Sequence, residues 1–163
     1  MGLDMYLTGR MFFWHASKPG AERRESGKRV KSIDVELGYW RKHPDLHGHI
    51  VQTYMEGKDE CQEIELSVDN LHNIISAIQE RRLPKTSGFF FGESEKTREQ
   101  NESDIKKLMG AIKWLEGGDD WPVTLEKVTE FATVVATAIK SKPAEESQGG
   151  QQVSRSVHYQ ADW

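Results

Sequence analysis

A chain of 163 residues, 36% hydrophobic and 29% charged, has the size of one domain and can bury a core. Its net charge of −4 gives no general attraction to nucleic acid or to an anionic membrane. No apolar run approaches the roughly 20 residues of a bilayer span. Cys61 is the single cysteine, so an internal disulfide is excluded and a reducing, cytoplasmic setting is expected. Met1–Tyr6 lacks the basic-then-apolar pattern of a secretory signal, and Tyr6 stands where a myristoylation site needs Ser or Thr.

In chain order, Leu3 to Trp14 is rich in Met, Tyr and Phe and predicts a long strand with Gly9 as a bulge. Ser17 to Lys31 reads as a polar loop carrying Lys18, Arg23, Arg24, Lys28, Arg29 and Lys31. Ser32 to Leu37 alternates, with Ile33, Val35 and Leu37 on one face, and predicts a second strand. Pro44 suits the first turn of a helix bearing Leu46, Ile50 and Tyr54 at a four-residue spacing. Cys61 to Leu66 alternates again as a strand. Ser67 then caps a helix striped by Leu71, Ile74, Ile75 and Ile78.

Further on, Phe89-Phe90-Phe91 between Gly88 and Gly92 predicts a short buried strand. A helix through Ile105, Leu108, Met109, Ile112 and Leu115 is expected to stop at Gly117-Gly118. Thr124 can cap another helix, striped by Leu125, Val128, Ala132, Val135 and Ile139. The segment 143–152 has the composition of a flexible connection. Val153 to Trp163 returns to β character, with Val157, Tyr159 and Trp163 on one face. The expected architecture is a single α+β domain over 1–163. Its mixed or antiparallel sheet of about four to five strands packs with three to four helices.

Tyr39-Trp40-Arg41-Lys42 is the most chemically suggestive stretch. It sets two aromatics beside two cations between a strand and a helix. Arg grips phosphate bidentately, Lys acts as a point charge, and an aromatic face can stack a base. The following helix start would add N–H groups suited to an anion, and His47 lies close by in sequence. Tyr39, Trp40, Arg41, Lys42 and His47 are therefore the candidate ligand-binding residues. The competing reading makes the aromatics core and the cations merely solvated.

Other candidates are weaker. His43 and His47 have a four-residue spacing that suits zinc on a helix, but Pro44 pushes His43 out of helical geometry, and no second cysteine completes a ligand set. Surface or capping histidines are the simpler expectation, and no metal site is assigned. Cys61 could act as a nucleophile with His47 as base, yet a lone cysteine more often packs as a small hydrophobe. Glu60, Glu63 and Glu65 read as a solvated strand face. No catalytic residue and no cofactor is assigned: there is no nucleophile elbow and no Gly-rich phosphate loop followed by Lys-Ser or Lys-Thr.

Four ordered strings carry a family resemblance. They are Met1-Gly2-Leu3-Asp4-Met5-Tyr6-Leu7, Gly38-Tyr39-Trp40-Arg41-Lys42 with His47 five residues on, Ser87-Gly88-Phe89-Phe90-Phe91-Gly92, and Tyr159-Gln160-Ala161-Asp162-Trp163. Together they resemble a family of bacteriophage and prophage proteins without an established activity. The resemblance implies a phage origin and a host-cytoplasm setting, and it transfers no catalytic residue. His43-Pro44-Asp45-Leu46 departs from that family's Asn- and Ile-containing stretch, and 143–152 reads as an insertion.

The reading that results is a phage accessory protein acting by binding, in counter-defence or host takeover. The expected partner is a nucleotide-like or phosphorylated ligand, or a host protein. Membrane and specific nucleic acid are not expected, and a homo-oligomer is left open. The alternative is a small hydrolase acting on a phosphorylated substrate, with His47 as general base.

Overall fold

The computed structural model describes residues 2–14, 32–86, 97–117 and 152–163. The expected loop at 17–31, the Phe89–Phe91 strand and the helix after Thr124 lie outside the described residues. So does the connection at 143–152, except that Gln152 already belongs to the last strand. Two compact units divide the chain: Met1–Arg10, Asp34–Gly118 and Arg155–Trp163 in the first, Met11–Ile33 and Asp119–Ser154 in the second.

Among the described residues, four strands form one antiparallel sheet in the order β2-β1-β4-β3. They are β1 (Asp4–Trp14), β2 (Ser32–Arg41), β3 (Ile64–Glu65) and β4 (Gln152–Asp162). Three helices accompany them among the described residues: α1 (Pro44–Tyr54), α2 (Val68–Gln79) and α3 (Arg98–Glu116). The α+β architecture is thus the one the sequence predicts.

Alternation builds the sheet's two faces. On β1, Leu3, Met5 and Leu7 are buried, while Asp4, Tyr6, Thr8 and Arg10 are only partly covered. Gly9 stays in phase with the buried set and forms no break in that alternation. A Cβ there would lie 2.7 Å from the Trp114 ring and 2.9 Å from Leu37, so its missing side chain is the space the α3 indole fills. On β2 the exposed positions run 34 and 36, then 39 and 41. That one-residue change of phase is what an extra residue in a strand produces, and it turns Trp40 toward α3.

Local signals fix the helices. The ring of His43 caps α1 by accepting from the Leu46 N–H, with Pro44 at the first turn where its missing N–H costs nothing. Ser67 and Asn70 form a reciprocal capping box on α2, which buries Leu71, Ile74, Ile75 and Ile78 as predicted and packs on α3. Gly117, left-handed at φ 77°, ends α3. The α3 stripe is rotated from the predicted one. Asp104, Leu108, Ala111, Ile112 and Trp114 are buried, whereas Met109 is exposed.

Two boundaries are also corrected. Cys61 has φ 56°, a left-handed conformation foreign to a strand, so the predicted strand over 61–66 shrinks to β3. Val157 and Tyr159 are buried on β4, but Trp163, beyond the strand, is exposed. β4 itself lies between β1 and β3, pairing Ile64 with Tyr159 and Glu65 with His158.

Candidate functional site

The five candidate residues divide among three environments. Tyr39 and Arg41 project from the sheet face opposite the helices. Tyr39 is 38% exposed, its hydroxyl donates to the Asp4 carboxylate, and its ring lies 5.4 Å from that of Tyr6. That hydrogen bond to the Asp4 carboxylate keeps the proton on the phenol and pushes the Tyr39 hydroxyl above its ordinary ionisation range. The Arg41 side chain is 65% exposed, with its Nε 3.9 Å from the same carboxylate. Lys42 follows in the left-handed region at φ 54°, and its N–H donates to the Leu3 carbonyl.

Trp40 faces the other way. It is 3% exposed, and its indole N–H donates to Asp104 Oδ1 at 2.7 Å. Asp104 is completely buried. It also accepts from Gln100 Nε2 at 2.7 Å, and its Oδ2 lies 2.9 Å from His43 Nε2. Because His43 Nδ1 accepts from Leu46, Nε2 carries the ring proton and donates to Asp104. Lys107 closes the corner, its Nζ donating to the Tyr39 carbonyl at 2.7 Å and lying over the Trp40 ring. The strand-to-helix turn is therefore clamped from α3, and Tyr39 and Arg41 are displayed on a fixed base.

His47 belongs to a separate buried chain. It is 2% exposed, with Nε2 2.8 Å from Asp59 Oδ2 and Nδ1 2.7 Å from Tyr159 Oη. A carboxylate only accepts, so Nε2 donates to Asp59 and Nδ1 accepts from the phenol. Neither ring nitrogen is left to activate Cys61. Burial, with the Asp59 charge second, pushes the Tyr159 hydroxyl well above its ordinary range. Among the described residues, His49 Nε2 and Asp59 Oδ1 are buried without a hydrogen-bond partner, and burial lowers the His49 pKa, with Arg82 adding to it. No group of three or more His, Cys, Asp or Glu among them is placed to hold a metal.

A polar network covers the rest of the open sheet face. Arg10 forks onto Asp34, with Nε–Oδ1 and Nη2–Oδ2 both at 2.9 Å, and reaches Glu63 Oε1 at 2.9 Å. His158 Nδ1 lies 3.1 Å from Glu63 Oε1, and its Nε2 is 2.8 Å from Ser156 Oγ. The Arg10 guanidinium holds Asp34 below the usual carboxylate range.

Asp4, Tyr6, Asp104, Asp59 and Tyr159 are the partners that sequence reasoning missed. Asp104 left one readable signal, since it lies four and eight residues before the buried Leu108 and Ile112. Searches of protein-family models, curated proteins and solved structures found no match to this chain.

Proposed function

We propose that this protein is a phage-encoded accessory protein that acts in the host cytoplasm by binding a host protein. Its role is counter-defence or host takeover, and its contact residues are Tyr6, Tyr39 and Arg41. The phage setting rests on the sequence motifs. One observation carries the binding reading: Tyr39 and Arg41 are exposed on a strand whose intervening residue, Trp40, is locked to Asp104. Tyr and Arg are enriched among residues that dominate protein–protein affinity, and a pre-fixed base lowers the ordering cost of using them.

Two features weigh for a protein over a phosphorylated ligand. Asp4 sits directly between Tyr39 and Arg41, where its charge opposes an anion. The start of α1 is occupied by its own groups, with the His43 cap, Pro44 and the buried Asp45 carboxylate, so a phosphate gains little there. Against the hydrolase alternative, His47 is sealed in the core with both nitrogens bonded, out of reach of a substrate proton.

Immobilised protein exposed to bacterial lysate should retain a discrete protein that is lost with Tyr39→Ala and with Arg41→Ala. Calorimetric titration with a nucleotide panel should give no binding heat. A nucleotide that binds wild type and fails to bind Arg41→Ala would replace the host-protein reading with the ligand reading.

A further inference from the structure

We infer, resting on that binding reading, that the open sheet face takes a basic segment of its partner, steered by Glu36, Glu65 and Asp162. The face carries an excess of negative charge. Asp4, Arg10, Asp34 and Glu63 lie on it through the contacts already described. Glu36 shares the face of Asp34 two residues earlier on β2, and Glu65 pairs across the ladder with His158. Asp162 is four residues beyond His158 on β4, and residues two or four apart on a strand share a face. Among the described residues, six carboxylates against the guanidiniums of Arg10 and Arg41 give this one face a net charge of −4, equal to that of the whole chain.

The two cations do little to cancel that field outward. Arg10 is bound on both sides by Asp34 and Glu63, and Arg41 leans on Asp4. Glu36, Glu65 and Asp162 are exposed, and their side chains make no ion pair among the described residues. Tyr6 and Tyr39, with Asp4 beneath, add aromatic faces that attract a Lys or Arg side chain. Complementary charge steers encounter and fixes register, so a segment rich in Lys and Arg is the occupant that fits.

The test is titration of isotopically labelled protein with two ten-residue peptides, one rich in Lys and Arg and one rich in Glu, followed through backbone amide shifts. The basic peptide should shift amides around Glu36, Tyr39, Glu65 and Asp162, and the acidic peptide should shift none of them. Raising salt from about 50 to about 500 mM should weaken the basic peptide at least about tenfold. The combined variant Glu36→Gln, Glu65→Gln, Asp162→Asn should do the same at low salt. Absence of shifts at about 1 mM basic peptide, shifts confined to α3, or equal binding of the acidic peptide would overturn the inference. A captured host protein whose retention survives both high salt and the combined variant would also overturn it, while leaving the binding reading standing. Basic-peptide binding at this face with no captured host protein would do the reverse.

Discussion

Asp104→Ala removes the acceptor that serves Trp40, His43 and Gln100 at 2.7, 2.9 and 2.7 Å. Gln100 is partly exposed and regains water at little cost. Trp40 and His43 are buried, and each orphaned donor costs about 1–3 kcal/mol. Losing the buried carboxylate relieves its own desolvation and offsets part of this, leaving a net loss of about 2–4 kcal/mol. Against a domain stability of about 5–15 kcal/mol, that is a large share. Urea denaturation should show a lower midpoint with an unchanged slope, the mark of lost stability without a change of compactness. Asp104→Asn keeps one acceptor but turns an amide N–H toward a donor, so it should fall between the two. Combining Asp104→Ala with Trp40→Phe should cost less than the sum, with a coupling of about 0.5–3 kcal/mol. A loss below about 1 kcal/mol for Asp104→Ala, or strict additivity in that pair, would refute the clamp.

Gly9→Ala forces a Cβ to 2.7 Å from the Trp114 ring and should cost about 1–3 kcal/mol by overpacking; a neutral melting curve would place Gly9 elsewhere. Tyr159 has its ionisation pushed up by burial. The folded state thus keeps a proton that the unfolded chain releases near pH 10, about the ordinary phenol value. Stability is full below that pH and falls as pH rises from there toward the raised value. Tyr159→Phe should lack this alkaline loss, seen as a flatter melting temperature above about pH 10, although it starts lower because His47 Nδ1 loses its donor. Deleting residues 153–163 removes β4 from between β1 and β3; circular dichroism should report an unfolded chain, and a native-like melt would contradict the sheet order.

Much of the scaffold was legible in local chemistry. Ser67, Pro44 and Gly117 announce helix ends because capping acts within one turn, and the Leu3, Met5, Leu7 alternation announces β1 because a strand has period two. What stayed hidden is non-local. Trp40 meets Asp104 across 64 residues and His47 meets Tyr159 across 112, and no spacing rule reaches that far. Tyr39, Trp40, Arg41, Lys42 and His47 are close in sequence, which makes them look like one site, but strand alternation sends Trp40 inward while Tyr39 and Arg41 face out. The change of phase on β2 and the left-handed Cys61 depend on tertiary packing, which hydropathy alone does not record.

If Tyr39 marks the surface a host protein touches, a photo-crosslinking amino acid at Thr8, two residues from Tyr6 on the same face of β1, captures that protein in bacterial cells. This leaves Tyr39 and Arg41 in place, with a crosslinker at the exposed Met109 of α3 as control. A discrete protein adduct is expected from position 8, lost when Tyr39→Ala is added, and none from position 109. An adduct from position 109 alone, or none from either, would contradict a host-protein contact at this face.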